Sequence, residues 1–138
     1  MDNRIVNFIK RHHLLTLATV KNNEPYCSNA FYVFDEKKKT LIFSSDIKTK
    51  HAQQFIANPK VAASIALETT VIERIQGVQL LGEIKDLTQE RLQKAKKLYL
   101  ETFPYARLMK LCLWEFHLTF VKMTCNRLGF GKKLIWGK

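Results

Sequence analysis

Three short apolar runs lie close together near the start of the chain: Leu14–Val20 (LLTLATV), Tyr26–Phe34 (YCSNAFYVF) and Thr40–Ser44 (TLIFS). Only Lys21–Pro25 (KNNEP) and Asp35–Lys39 (DEKKK) separate them. Parallel strands need a crossover of about a dozen residues or more, so links this short allow only hairpins. The first third of the chain therefore reads as an antiparallel meander, not as part of a doubly wound sheet.

The rest extends that pattern. Val61–Leu67 reads as a fourth strand and Ile72–Leu87 as a long strand-like region. Leu113–Phe120 and Val121–Cys125 read as closing strands. Helices are predicted over residues 2–12, capped by Asp2 or Asn3, and over 50–57. A third follows Thr88, with Leu92, Ala95, Tyr99 and Phe103 as its buried stripe and Pro104 as its stop. A helical turn is expected over Ala106–Lys110. Six or seven mostly antiparallel strands with a few peripheral helices make a mainly β chain, a small closed barrel in one domain, 1–138. Gly77 and Gly82, inside the long fifth strand, mark a bulge, a close backbone approach or a simple bend.

The segment Leu41–Pro59 (LIFSSDIKTKHAQQFIANP) carries the most chemistry. A strand passes Ser44 and Ser45 and turns through Asp46-Ile47-Lys48. Thr49 then caps a helix that ends at Asn58-Pro59. Lys48, Lys50 and His51 stand at its first turn, where cations oppose the helix dipole. Exposed N–H groups, a capping hydroxyl and basic side chains together suit an anion, above all a phosphate. A solvated basic turn is the other reading.

Charge widens the field. There are 23 Lys and Arg against 12 Asp and Glu, a formal net charge of +11. Such an excess suits nucleic acid, an anionic membrane surface or a phosphorylated ligand. The basic residues are dispersed rather than gathered into one arm, which weighs against nucleic acid. Cys27, Cys112 and Cys125 are odd in number and have no CxxC spacing, so neither a disulfide framework nor a zinc site is expected, and a reducing compartment fits best. Cys27 reads as a small core residue. His117 has no evident partner in the sequence. MDNRIVNFIKRHH has no long apolar core, so a signal peptide is not expected, and no 18-residue apolar span, GxGxxG, Walker loop, HExxH or GxSxG is present.

Several of these segments resemble a known family. LATV, LIFSS and TKHAQQFIANPKVAASI are similar to the FMN-binding split-barrel superfamily typified by pyridoxamine 5′-phosphate oxidase. Thr49-Lys50-His51 stands where that family has Ser-Arg-Lys. NAFYVFD, RIQGVQLLGEI, FPYARL and LGFGKKLIW resemble its YhbP-like group. The resemblance implies a homodimer with two FMN molecules at the subunit interface, and the cysteine usage makes a cytoplasmic location the expectation. By position, Ser44 and Ser45 would face the phosphate and ribityl chain, and Thr49, Lys50 and His51 would hold the phosphate. Gly77 occupies the family's glutamine position, which makes Gln79, on the same face, the candidate; Trp114 and one of Lys132 or Lys133 match the family's C-terminal Trp and basic positions loosely.

The departures bear on activity. Ser28 and Val33 stand where the oxidases have Arg and Lys, and Arg127 is followed by Leu128-Gly129, so the Arg-x-His substrate motif is missing. The expectation is an FMN-dependent oxidoreductase with an unknown small substrate, not a true pyridoxamine-phosphate oxidase. A flavin carrier or sensor without turnover, and a basic nucleic-acid-binding module, are the alternatives. No catalytic acid or base and no metal are expected.

Overall fold

The computed structural model describes residues 1–138. The helices are α1 (Asn3–Arg11), α2 (Lys50–Ala57) and α3 (Gln89–Thr102). The strands are β1 (Leu14–Lys21), β2 (Glu24–Asp35), β3 (Thr40–Ser44), β4 (Lys60–Ala66), β5 (Gln76–Lys85), β6 (Leu113–Cys125) and β7 (Lys133–Gly137). They form one seven-stranded sheet, ordered β3-β2-β1-β4-β5-β6-β7, and a further β3–β6 pairing closes the barrel. Every pairing is antiparallel. The mainly β fold and the hairpin-linked start are as the sequence predicts.

The β1–β2 hairpin is tighter than the expected five-residue turn. Only Asn22 and Asn23 lie between the strands, both at positive φ, 50° and 62°. Asparagine tolerates that conformation better than most residues, and the paired left-handed turn matches the twist of the strands.

The two expected closing strands are one. β6 runs unbroken for 13 residues, pairing with β3 over Leu113–His117 and with β5 along nearly its whole length. A bulge at Thr119 makes both possible: Leu81 pairs with Phe120 but Gly82 pairs with Leu118. Gly82 lies at that bend. A Cβ there would stand 1.9 Å from the His117 carbonyl oxygen, so the close-approach reading holds at this position. β7 was not expected from the glycine-rich tail. Ile72–Arg74, expected as strand, is a short 3₁₀ turn, and another covers Pro104–Leu108.

The main core lies inside the barrel and is sealed by α1 and α2. Leu15, Leu17, Tyr32, Leu41, Phe43, Phe55 and Phe116 are all buried within it. A second, smaller core forms where α3 covers the outer side of β3 and β6, with Ile42, Ala95, Tyr99 and Leu113. Arg91 of α3 is buried there too. It bonds to the Glu115 carboxylate through Nε and to Asp35 through Nη2 at 2.6 Å. Glu115 also meets His117 at 3.0 Å, the partner that spacing along the sequence had not suggested. Cys27 is a correction: it is exposed on the outer face of β2, opposite Ala18, because the inward positions of β1 are Leu15, Leu17 and Thr19.

Candidate functional site

The end of β3, the start of β6 and the first turn of α2 meet at one point. Ser44 pairs with Leu113, and the Ser44 Oγ accepts from the Cys112 amide at 3.4 Å. The next residue, Ser45, donates its own amide to the Cys112 carbonyl at 2.9 Å. Its carbonyl accepts from Trp114 Nε1, also at 2.9 Å. Ser45 is thus held on both sides of its backbone, and its hydroxyl is aimed at the helix.

The turn between them is self-supporting. Asp46 accepts from the Lys48 amide at 2.8 Å through its side chain and from the Thr49 amide at 3.1 Å through its carbonyl. Thr49 Oγ1 donates to the Asp46 carbonyl at 2.7 Å and accepts from the Ala52 amide at 3.3 Å, so it is the N-cap the sequence predicts. The amides of Lys50 and His51, in the first turn, have no intrahelical acceptor.

His51 turns back over this cap. Its Nε2 makes a short contact with Ser45 Oγ and lies 3.2 Å from Thr49 Oγ1, while the two hydroxyl oxygens are 3.4 Å apart. Its ring lies 6.3 Å from Phe55, which packs edge-on against Trp114 at 4.8 Å. Burial pushes the His51 imidazole below its usual value of 6.5. At neutral pH it is therefore uncharged and offers one N–H.

Lys50 points elsewhere. Its ammonium is 2.7 Å from Glu24 and 4.9 Å from the centre of the Tyr26 ring, on the β1–β2 hairpin. Both members of this pair are about half exposed, so solvent screens the bond. Lys48 is exposed and unpaired. The phosphate set named from the sequence therefore divides: Ser45, Thr49 and His51 converge, Ser44 faces Cys112, and Lys50 reaches toward Glu24.

The looser positions lie apart from this cluster within one chain. Trp114 is 7% exposed and supports Ser45 from behind; it also lines a small cavity with Phe55, Pro59 and Ile84. Gln79 is exposed on the outer face, between Ser64 and Lys122 in cross-strand register. Lys132 precedes β7 and Lys133 pairs with Thr124, at the end of β6 opposite Leu113. The sequence reading missed the Cys112 backbone bonds to Ser44 and Ser45. They depend on β6 returning beside β3, which no local pattern announces.

A second feature is the outer face of the sheet. Asn29, Thr16, Ser64 and Gln79 form one row across β2, β1, β4 and β5, and Cys27, Ala18, Ala62 and Leu81 form the next. A concavity of 490 Å³ opens there, floored by Ala18, Ala62 and Leu81. No helix is long and apolar enough to cross a membrane, and no group of three His, Cys, Asp or Glu side chains is placed to hold a metal.

Known proteins share this architecture. In solved structures, the heme binding protein from Mycobacterium smegmatis superposes with a TM-score of 0.77 at 16% identity, over 91% of this chain and 52% of that one, so the chain spans about half its length. A FAD-binding protein from Mesorhizobium loti superposes with a TM-score of 0.73 at 13% identity, over 89% of this chain and 93% of that one. At such identities the likeness is one of fold. In sequence, a UPF0306 protein of Yersinia pestis bv. Antiqua (strain Antiqua) is 37% identical over 134 residues, 97% of this chain and 91% of its own length. The pyridoxamine 5′-phosphate oxidase family model matches residues 1–123, and the chain belongs to that family.

Proposed function

We propose that this chain is a flavin-binding protein that holds FMN by its phosphate and works as a flavin-dependent oxidoreductase on a small substrate. One observation carries the reading. Ser45 Oγ, Thr49 Oγ1 and His51 Nε2 converge at the N-terminus of an eight-residue helix whose first two amides, of Lys50 and His51, have no intrahelical acceptor. A phosphate placed there would accept from the Ser45 hydroxyl, the imidazole and the amides of Lys50 and His51. Each charge-assisted bond of this kind contributes roughly 1.5–3 kcal/mol. Lys50 need only leave an exposed, screened pair with Glu24 to add its charge.

The fold alone does not choose the ligand, because a heme binding protein and a FAD-binding protein share it. The cluster favours a phosphate: His51 Nε2, the nitrogen that would ligate an iron, is turned onto two hydroxyls. When bound, the flavin would supply the redox chemistry. The protein would bind, orient and shield it. Missing counterparts of the Arg-x-His motif argue against pyridoxamine 5′-phosphate as substrate.

We also infer a homodimer in the cytoplasm. In a chain of formal charge +11, the rows Asn29–Thr16–Ser64–Gln79 and Cys27–Ala18–Ala62–Leu81 are uncharged, and Leu14 and Phe31 beside them are 52% and 57% exposed. Such a face suits a second copy. A partner's Gln79, Lys132 and Lys133 would then complete the cofactor contacts.

The test is the visible absorption spectrum of the protein after mixing with excess FMN and desalting. Flavin bands that stay with the wild-type protein and are lost in Ser45→Ala/His51→Ala support the reading. Colourless protein overturns it. Equal retention by the double variant moves the phosphate elsewhere. Oxidation of NAD(P)H by the loaded protein would separate an enzyme from a flavin carrier or sensor.

A further inference from the structure

A cavity of 620 Å³ opens between α1, the β2–β3 turn and α3. Six basic side chains line it: Lys10, Lys37, Lys38, Arg91, Lys94 and Lys97. Three acids do so too: Glu36 is paired with Lys10, Asp35 with Arg91, and Glu101, one turn beyond Lys97, forms no ion pair. Lys37, Lys38, Lys94 and Lys97 form no ion pair. Lys37 and Lys38 come from the turn and Lys94 and Lys97 from successive turns of α3, so the unpaired ammonium groups face one hollow from two sides. Gathering like charges around a concave surface focuses a positive potential there.

Arg91 gives the hollow a fixed floor. It is only 9% exposed, and Glu115 and Asp35 hold its Nε and Nη2. Nη1 has no protein acceptor, and Arg91 is one of the residues that line the cavity. The only apolar lining is Phe34 and Leu98, and Phe34 is 7% exposed. No aromatic face is offered for a base to stack on, so the site reads charge and not base identity.

We propose that this cavity binds an oligophosphate, a run of three or more linked phosphates, either free or as the tail of a nucleotide. A single phosphate would meet one side of the hollow, whereas a chain of them spans from Lys37 and Lys38 to Lys94 and Lys97. A nucleic acid strand wants a long basic track with stacking platforms, and this hollow is closed by three elements and has none. The site is separate from the flavin cluster. Asp35–Lys38 precede β3 and Ser44 ends it, roughly 13 Å away along the strand.

The test is calorimetric titration at low salt of flavin-loaded wild type, Lys94→Gln/Lys97→Gln and the control Lys21→Gln/Lys138→Gln. The probes are inorganic tripolyphosphate, ATP, orthophosphate and a short single-stranded oligonucleotide. The proposal expects one tripolyphosphate per chain and orthophosphate weaker by about tenfold or more. Lys94→Gln/Lys97→Gln should lose about tenfold or more in tripolyphosphate affinity while keeping its flavin, and the control should match wild type. ATP binding as well as tripolyphosphate supports a nucleotide source, and tripolyphosphate alone supports a free one. Absence of tripolyphosphate binding, equal loss in both lysine variants, or tighter oligonucleotide binding with stoichiometry set by strand length would each overturn it.

Discussion

Trp114 donates from Nε1 to the Ser45 carbonyl at 2.9 Å, so a side chain of β6 fixes the residue that presents its hydroxyl at the mouth of α2. The bond links core and site. Trp114→Phe keeps an aromatic ring against Phe55 but leaves a buried carbonyl unpaired. Stranding such a group costs about 1–3 kcal/mol. We expect that loss in denaturant unfolding, together with weaker FMN retention, since Ser45 loses one of its two backbone anchors. Unchanged retention in a destabilised variant would show that Ser45 is positioned by Cys112 alone.

His51 makes stability and ligand binding respond to pH in opposite senses. Burial lowers its folded-state pKa below 6.5, so the unfolded chain takes up the proton first as pH falls. The His51 contribution to stability is therefore flat above about pH 7 and declines from about 6.5 down through the lowered value. His51→Gln should flatten that part of a thermal-melt profile. A bound phosphate dianion favours the imidazolium, so FMN affinity should instead rise between about pH 8 and about 6.5. A profile that is the same in wild type and His51→Gln would remove His51 from the site.

The Arg91 network carries the junction between α3 and the barrel. Burial would raise the Asp35 carboxyl, but hydrogen bonds from Arg91 and from the Lys38 and Lys37 amides outweigh it and hold its pKa low. Arg91→Met takes the guanidinium from two carboxylates, leaving Glu115, 4% exposed, with His117 alone and Asp35 with backbone amides alone. Breaking a buried pair on one side costs about 3–5 kcal/mol. Arg91→Met combined with Asp35→Asn and Glu115→Gln should recover part of that in urea unfolding, because the uncompensated charges are gone. If the triple variant is no more stable than Arg91→Met, the loss comes from packing and not from charge.

The legibility of this chain followed the range of its interactions. Strands β1 to β3 and helix α2 are set by neighbours in sequence: polar turns, the Thr49 cap and Asn58-Pro59 mark them within a few residues. The cap itself was legible for the same reason, whereas the joint placing of Ser45 and His51 came only from the family resemblance. What was hidden depends on partners far along the chain. Arg91 looks like one more basic helix residue until Asp35 and Glu115, 56 and 24 residues away, surround it. The Lys50–Glu24 pair was hidden in the same way, because the hairpin that brings Glu24 to Lys50 lies 26 residues earlier. β6 was divided in two because its bulge at Thr119 answers Gly82 on another strand, and its own composition gives no sign of that.

Gly82 and Gly129 separate two reasons for glycine. At Gly82 a Cβ would lie 1.9 Å from the His117 carbonyl oxygen and 2.9 Å from Phe116 Cε2, so Gly82→Ala must push β5 from β6 where the barrel bends. Its cost should reach or exceed the upper end of the about 1–3 kcal/mol typical of overpacking. At Gly129 no atom lies within 4 Å, but φ is +131°, which only glycine adopts readily. Gly129→Ala should cost about 1–3 kcal/mol of backbone strain. That strain is confined to the turn before β7, so it should appear as faster amide exchange in Lys133–Gly137 more than as a lowered melting temperature. Gly82→Ala should instead lower the melting temperature by roughly 3–5 °C per kcal/mol and loosen β5 and β6 together. A Gly82→Ala protein as stable as wild type would mean that the Leu81–Gly82 bulge can shift by a residue without opening the barrel.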